Sequence, residues 1–501
     1  MSTVARRQPR GIPAAAPWAL AGRRLLAAHV QLALLLVPLA VIPFFRLVDN
    51  DFWWHLKTGE LIVERGLFST DPYSWTAPGK DWVLHEWLAE ALIFALQRSL
   101  GYWANCLAFA AAAIAALLVV HRTGRSAGAS ARPLLLSMAA AVVIMSTFVT
   151  VRPQVFSWLL FATFLHLLHQ HTLGRPARVW LLPALMAVWA NLHLGFFFGF
   201  MLLGAWVAAT ALRALRGDWS ALRTPLAVSA ACVAAACINP AGPGLLLYPI
   251  RYLTDAGATH QYVREWQSPG ITNPFHAPIF LGIFMLAASL LSKHRPSAFL
   301  LIVSIAVIAL GLQAVRNAPF VALMLPPVAG VAIARAWGRS TGAVVTIPAW
   351  HAAALLAVTV TAISALFVAW SGAPSLRSPG EHNFPSAAAG YVQREHPDAR
   401  MFNEYGAGGF LIYKLYPRVP VAIDGRSEFY GNRILSGYYT IFRAEDGWAA
   451  LLDEWGADLA LISPQSPLAK ALRADAAWVE EFTDEEASVF VRRAAAGEAP
   501  R

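Results

Sequence analysis

Two carboxylates, a histidine and a lysine stand close together in the segment VDNDFWWHLKTG, residues 48–59. Asp49 and Asp51 form an Asp-x-Asp pair and are the leading candidates for a general base, which takes a proton from an attacking hydroxyl. His55 lies one turn after Asp51 if the segment is helical, where it can orient a carboxylate or bind a metal. Lys57 is a candidate for binding a substrate anion. The structural alternative is that the Asp residues only end a helix at an interface.

Further polar phrases follow along the chain. His85 and Glu86 form a second candidate catalytic cluster, although the helix dipole alone also favours a Glu at a helix start. Arg152 and Arg316 each end an apolar stretch and keep their charge, so they are candidates for binding a phosphate. Snorkelling of both side chains to a membrane surface is the structural alternative. The remaining candidate substrate-binding residues are Gln154, Asn191, His193, Glu265 and Asn317.

The composition indicates a polytopic membrane protein. Of the 501 residues, 57% are hydrophobic and only 14% are charged, and the mean hydropathy is +0.51, unlike an ordinary soluble protein. The net charge of +10 does not indicate nucleic-acid binding, because 26 of the 39 Lys and Arg residues but only 11 of the 29 Asp and Glu residues fall in residues 1–372. Cys106, Cys232 and Cys237 lie in apolar runs without metal-ligand spacing, so neither a zinc site nor a disulfide framework is predicted.

Eleven apolar stretches are each about long enough to cross a bilayer, which takes about 20 residues. They cover residues 25–46, 102–121, 133–150, 154–172, 179–192, 195–212, 224–239, 277–292, 297–313, 318–335 and 349–370. They predict a membrane domain at 25–372 that follows a cytoplasmic tail at 1–24. No signal-peptide cleavage site is recognised, so the first stretch is expected to remain as a span.

The distribution of charge predicts the orientation. With a cytoplasmic N-terminus, the inner loops of residues 1–372 hold 17 Lys and Arg residues and the outer loops hold nine, which agrees with the positive-inside rule. Ten of the 11 carboxylates in residues 1–372 then face outward, Asp218 being the exception. All the candidate site residues fall on the same outer face. The spans carry almost no charge at mid-depth, which argues against an ion-coupled transporter.

Two regions outside the spans are predicted to be structured. The long first outer loop, residues 47–101 (below, the first loop), contains a segment at 85–100 that favours an amphipathic interfacial helix, because another span there would reverse the later charge bias. Residues 373–501 predict a small extracytoplasmic α/β domain with strands at 400–403, 419–423 and 457–463 and a helix between the first two. Within it, Asp424, Arg426 and Glu428 favour an internal charge network over acceptor recognition.

Function is expected at the outer rim, where apolar helices meet polar loops. Such a rim suits an enzyme whose substrate is partly lipid, because the tail of a polyprenyl-phosphate sugar can lie between helices while its phosphate and sugar project outward. Sugar transfer needs a base for the acceptor hydroxyl and cations or a metal ion for the phosphate leaving group. Both kinds of group are present on this face.

Taken together, these residues resemble the GT-C class of membrane glycosyltransferases, which take sugars from polyprenyl-phosphate donors. The resemblance covers most of the chain, beginning with Asp49-Asn50-Asp51 after the first span. The phrases DFWWHLKTGELIVERGLFSTDPYSWTAPGKDWVLHEWL, RPQ, WANLHLGFFFG, INPAG, REW and VAIDGRSEFYG look like a bacterial polytopic family usually placed with that class. The resemblance implies a cytoplasmic N-terminus, an acidic motif and interfacial helices in the first outer loop, and a soluble C-terminal domain.

The residues and the resemblance predict an inner-membrane glycosyltransferase that passes a sugar from a polyprenyl-phosphate donor to an envelope glycan, lipid or protein acceptor. Membrane lipid is an expected partner, and nucleic acid is not. No cofactor is required by the pattern, but a divalent cation, Mg²⁺ or Mn²⁺, stays open because the class varies in metal use. Two alternatives also stay open, namely a transporter or flippase for lipid-linked saccharides and a non-catalytic envelope protein that anchors its C-terminal domain.

Overall fold

The computed structural model describes residues 17–45, 49–215, 217–248, 257–293, 295–337, 381 and 384–493. Most of the predicted N-terminal tail and the predicted span 349–370 lie outside these ranges. The helices up to residue 337 are α1 (Pro17–Phe45), α2 (Phe52–Arg65), α3 (Trp87–Leu100), α4 (Tyr102–Ala127), α5 (Ala131–Ser146), α6 (Gln154–Thr172), α7 (Leu182–Leu192), α8 (Phe197–Ala214), α9 (Arg223–Ala236), α10 (Gly257–Tyr262), α11 (Ala277–Leu291), α12 (Ala298–Gln313), α13 (Ala318–Met324) and α14 (Gly330–Ala336).

Each predicted span within the described residues coincides with a helix. Among the described residues, five helical segments are long and apolar enough to cross a membrane, namely Tyr102–Ala127, Leu194–Ala214, Trp219–Ala236, Pro274–Leu291 and Val315–Ala336. The last of these includes a π-helical turn at Leu325–Ala329, between α13 and α14, where the pair Pro326 and Pro327 cannot donate backbone hydrogen bonds. The number of crossings, eleven, remains a prediction.

The first loop forms two helices, and Gly59 sets how closely they pack. A Cβ atom at Gly59 would lie 2.1 Å from the carbonyl oxygen of Glu90, so only glycine permits this approach of α2 to α3. His55 lies one turn before Gly59, and Glu86 lies one turn before Glu90, so the crossing brings His55 beside both carboxylates. Helix α3 confirms the helix predicted within residues 85–100, and its place at a membrane surface remains a prediction.

Residues 384–493 form a small α/β region, as predicted. Its helices are α15 (Ser386–Glu395), α16 (Gly408–Leu415), α17 (Ser427–Phe442), α18 (Trp448–Trp455) and α19 (Pro467–Ala474), and its strands are β1 (Met401–Asn403), β2 (Leu459–Ile462), β3 (Trp478–Thr483) and β4 (Ser488–Arg492). The sheet order is β1-β2-β4-β3, with β1 and β2 parallel and the other pairs antiparallel. The strands predicted at 400–403 and 457–463 and the helix after the first of them are confirmed.

The predicted strand at 419–423 is wrong. Val421 makes isolated bridges to Ser74 and to Met401, and its backbone exchanges hydrogen bonds with the first loop, accepting from Trp75 N–H at 3.1 Å and donating to the Tyr73 carbonyl at 3.0 Å. The apolar residues here favour extended backbone, but the segment makes only isolated bridges, one to the first loop and one to β1, and adds no strand to the sheet. This segment therefore attaches the C-terminal region to the first loop.

A buried arginine connects the first loop to the C-terminal region. The side chain of Arg426 is 1% exposed, and its Nη1 lies 2.8 Å from Oδ1 of Asp71 while its Nη2 lies 2.6 Å from Oδ2 of Asp424. Its guanidinium also lies 4.3 Å from the ring centre of Trp82, and Tyr430 donates to Asp424 at 2.6 Å. The predicted internal network is confirmed for Asp424 and Arg426, and it connects two parts of the chain.

Replacing Arg426 by Leu should detach the C-terminal region from the first loop, because two buried carboxylates would lose their cation. Removal of one partner from a buried ion pair costs roughly 3–5 kcal/mol. The variant should show a lower thermal denaturation midpoint and faster cleavage of the C-terminal region by protease, measured on the full chain in detergent. Arg433→Leu is the control, because the Arg433 side chain is 95% exposed. Equal behaviour of the two variants would contradict this assignment.

Candidate active site

One cavity gathers most of the polar residues that the sequence places on one face. It has a volume of about 540 Å³ and lies where the first loop, several helix starts and the C-terminal region meet. Ten of the thirteen candidate site residues line it, namely Asp51, His55, His85, Glu86, Arg152, Gln154, His193, Glu265, Arg316 and Asn317. Residues up to 266 positions apart in the sequence therefore share one space.

Lys57 and Asn191 are not among the residues that line this cavity. The ammonium group of Lys57 lies 2.6 Å from a carboxylate oxygen of Glu60. The side-chain oxygen of Asn191 accepts from the indole N–H of Trp87 at 2.6 Å, and its amide donates to the Ile238 carbonyl at 2.7 Å. Asn191 thus connects α3 to the end of α9, while the substrate-binding roles of both residues remain predictions.

The two acids of the Asp-x-Asp pair have different surroundings. Asp49 lies outside the cavity lining, and its two oxygens accept from the Asp51 backbone N–H at 3.0 Å and from the Thr150 hydroxyl at 2.9 Å. Asp51 lines the cavity, and its Oδ2 accepts a hydrogen bond from Nη2 of Arg152. A Cβ atom at Gly425 would lie 1.9 Å from Oδ1 of Asp51, so glycine is required beside this carboxylate. Of the pair, Asp51 is the one placed to react with a ligand.

Glu265 joins the two candidate phosphate-binding arginines. Its Oε2 accepts from Nη1 of Arg152 at 2.9 Å, and its Oε1 lies 3.4 Å from Nη1 of Arg316. The Arg316 guanidinium also stacks 4.1 Å from the ring centre of Trp266. Arg152 therefore has three carboxylate partners, since its Nε also lies 3.8 Å from Oδ1 of Asp49. Arg316 has one ion pair and an aromatic face, which leaves it the more available of the two for an anion.

The protonation of the two cavity carboxylates differs. Burial of Asp51 raises its pKa from 3.8 to about 7, although Arg152 opposes that shift. Burial also disfavours the charged form of Glu265, but its two arginine neighbours outweigh burial and lower its pKa to about 2. Glu265 is thus a permanent anion, while Asp51 can gain or lose a proton near neutral pH, as a general base must.

His55, Glu86 and Glu90 form a group, called here the histidine–glutamate cluster, in which His55 and Glu90 are buried and Glu86 is partly exposed. Nδ1 of His55 lies 3.2 Å from Oε1 of Glu90 and 3.7 Å from Oε2 of Glu86. The other oxygen of Glu86, Oε1, lies 3.5 Å from Nε2 of His193 and 3.8 Å from Nε2 of His85. Glu90 was not among the sequence candidates, although its position one turn after Glu86 on an amphipathic helix is a signal for it.

A hydrogen bond fixes which nitrogen of His193 carries the proton. Nδ1 of His193 accepts from the Gly195 backbone N–H at 2.8 Å and lies 2.8 Å from the Ser157 hydroxyl, which itself accepts from the Trp189 indole at 2.7 Å. Burial lowers the pKa of His193 well below its ordinary value, so the ring is neutral with its proton on Nε2. The protonated Nε2 lies 3.5 Å from Oε1 of Glu86.

The C-terminal region contributes cavity residues that the sequence analysis left out. Gly425, Ser427 and Glu428 line the cavity, together with His260 and Trp266 of the membrane part. The compact phrase IDGRSEFYG at 423–431 was the available signal. Its charges were assigned to an internal network, which is correct for Arg426 but leaves out the residues on either side of it.

One wall of the cavity is apolar. Phe197, Phe198 and Met201 of α8 face this space together with Ala306 and Leu310 of α12. Phe197 is 44% exposed, although it is a large hydrophobic residue. The cavity therefore combines charged groups at one side with a surface suited to hydrocarbon at the other.

The described architecture is similar to that of several solved membrane enzymes. Against the archaeal oligosaccharyltransferase AglB from Archaeoglobus fulgidus, solved with an inhibitory peptide and a dolichol-phosphate, the TM-score is 0.57 at 13% identity over 89% of this chain and 70% of that chain. Against ArnT from Cupriavidus metallidurans, bound to undecaprenyl phosphate, the TM-score is 0.50 at 16% identity, over 97% of this chain and 100% of that chain. Against the arabinofuranosyltransferase AftD from Mycobacteria, the TM-score is 0.53 at 15% identity, over 94% of this chain and 40% of that chain. The protein has a GT-C fold.

The GT-C fold confirms the resemblance that the ordered sequence phrases indicate. Together with the apolar helices, it makes the chain a multi-pass membrane protein. No protein-family model and no curated protein matches the chain. The similarity to known proteins therefore rests on the fold.

Proposed function

We propose that the protein transfers a sugar from a polyprenyl-phosphate donor to an acceptor hydroxyl at the outer face of the bacterial inner membrane. The observation that carries the proposal is that Asp51, Arg152 and Arg316 line the same cavity as the apolar wall of α8 and α12. A lipid-linked sugar needs all three features, namely a base, cations and a hydrocarbon surface. The acceptor is an envelope glycan, lipid or protein.

In the proposed reaction, Asp51 accepts the proton of the acceptor hydroxyl as its oxygen attacks the anomeric carbon of the donor sugar. The bond from that carbon to the phosphate oxygen breaks, and polyprenyl phosphate leaves with one more negative charge. Arg152 and Arg316 stabilise the leaving phosphate. The new glycosidic bond takes the acceptor oxygen, so atoms and charge balance without a further reactant.

Arg152 couples the two halves of this reaction electrostatically. Its Nη2 donates to Asp51 and its Nη1 donates to Glu265. When Asp51 becomes protonated, its attraction for Arg152 falls at the moment when the phosphate gains charge. Arg152 can then transfer its hydrogen bond from the neutral acid to the phosphate, which favours the forward direction.

The lipid tail of the donor lies in this proposal between α8 and α12, against Phe197, Phe198 and Leu310. The neighbours support the donor class, because AglB was solved with a dolichol-phosphate and ArnT with undecaprenyl phosphate. The cavity entrance then faces the periplasm, with residues 373–501 outside the membrane and residues 1–24 in the cytoplasm. The excess of Lys and Arg in the predicted inner loops supports this orientation.

Asp51→Asn should reduce release of undecaprenyl phosphate from undecaprenyl-phosphate sugars by about 100-fold or more, because the base is lost. Asp49→Asn keeps the cavity carboxylate and should have a smaller effect. Wild-type transfer should increase with pH through about 7, where the carboxyl of Asp51 loses its proton. The assay uses full-length protein in proteoliposomes with labelled donors. Full activity of Asp51→Asn would remove it as the base, and donor movement without bond cleavage would instead indicate a flippase.

Arg316→Gln should weaken binding of undecaprenyl phosphate by about 10-fold or more, since a hydrogen bond to a charged group contributes roughly 1.5–3 kcal/mol. Glu265→Gln should have the opposite effect, because Arg316 loses its anionic partner and Arg152 loses one of its own. Affinity is measured with the full chain in nanodiscs. Arg98→Gln is the control, since Arg98 is an exposed residue of α3. Unchanged affinity in both cavity variants would contradict phosphate binding here.

A further inference from the structure

Glu90 is a buried acid without enough hydrogen-bond partners. Its side chain is 2% exposed, and its Oε2 has no hydrogen-bond partner among the described residues. An unpaired buried carboxylate oxygen is costly and calls for a ligand or a proton. A second carboxylate, that of Glu86, is 12% exposed and lies next to the same imidazole. Two acids therefore converge on His55, and one of their oxygens, Oε2 of Glu90, has no partner among the described residues.

We propose that the histidine–glutamate cluster binds one divalent transition-metal cation, with Zn²⁺ the preferred ion. The cluster offers one imidazole nitrogen and two carboxylate oxygens that all lie within 4.8 Å of one another. Ligand atoms at about 2.1 Å from a tetrahedral zinc ion lie about 3.4 Å apart. The separations of Nδ1 of His55 from the Glu90 and Glu86 oxygens are 3.2 and 3.7 Å, close to that value.

The surroundings of the cluster suit a reactive ion rather than a purely structural one. His55 and Glu86 line the cavity while Glu90 is not among its lining residues, so the ion has protein on one side and open space on the other. Water or a substrate oxygen would complete its coordination, as in catalytic zinc sites with three protein ligands. Nε2 of His193 lies 3.5 Å from the Glu86 oxygen that does not face His55, which is the place of an outer-shell partner.

The Asp-x-Asp pair is the competing location, and its contacts disfavour a cation. Both oxygens of Asp49 already accept hydrogen bonds, and Asp51 is paired with the positively charged Arg152. Within the part of the chain that the structure describes, the cluster makes no ion pair with Lys or Arg. An imidazole ligand also favours Zn²⁺ over Mg²⁺ and Ca²⁺, which prefer oxygen ligands alone. This inference depends on the cluster alone and not on the proposed transfer reaction.

Metal content tests the inference without any substrate. The full-length protein is purified in detergent, treated with EDTA, dialysed against Zn²⁺ in the presence of excess Mg²⁺, and analysed by inductively coupled plasma mass spectrometry. Co²⁺ is then used as a spectroscopic substitute, because its visible absorption reports nitrogen and oxygen ligands directly. Wild type should bind one equivalent, and Glu90→Gln and Glu86→Gln should each lose at least about 10-fold in affinity, as loss of a ligand predicts.

Glu64→Gln is the matched control, because Glu64 is an exposed acid of the same helix as His55. It should retain the full equivalent. All variants are compared by size-exclusion elution, and Glu86→Gln carries the test if Glu90→Gln fails to fold, since Glu86 is at the cavity wall. Absence of Zn²⁺ from wild type would overturn the inference and leave a protonated Glu90 as the explanation. Retention of Zn²⁺ in both glutamate variants with loss in Asp49→Asn would overturn it in favour of the Asp-x-Asp pair.

Discussion

The burial of Arg426 between Asp71 and Asp424 is the contact on which the cavity depends, because it holds the C-terminal region against the first loop. Gly425, which directly precedes Arg426, then lies against Asp51, where there is no room for a side chain. Ser427 and Glu428 complete this wall of the cavity. A buried ion pair adds little net stability compared with apolar packing, but it imposes one geometry, since any other leaves charges unpaired. Its role here is to fix the position of the C-terminal region against the first loop.

Electrostatics inside the cavity follows from the same close packing. Burial raises the pKa of both Asp51 and Glu265, but Glu265 stays charged because it lies between two arginines, whereas burial of Asp51 outweighs its single cation. The site thus contains a permanent anion and an acid that titrates near neutrality, within one network. Arg152 connects them. In the proposed function this arrangement lets proton uptake and phosphate departure proceed together.

The helices were predicted well from the sequence, because a span must satisfy its backbone hydrogen bonds internally. A local run of apolar residues is therefore enough to indicate a helix. Gln154–Thr172 has the predicted bounds. The convergence of Arg152 and Arg316 followed from a shared predicted face. The wrong strand at 419–423 and the omission of Glu90 have another cause, since both depend on contacts between distant segments. Local patterns give the propensity of Val421 for extended backbone but not its partner.

The central claim is that the first loop, the outer helix ends and the C-terminal region close around one phosphate-binding cavity. The most direct test is an experimental structure of the full chain with undecaprenyl phosphate bound. The account predicts that the phosphate contacts Arg316 and Arg152 near Asp51, with Gly425 held over that carboxylate and the lipid tail along Phe197 and Phe198. A phosphate outside this cavity, or a C-terminal region detached from Asp71 in the bound state, would contradict it.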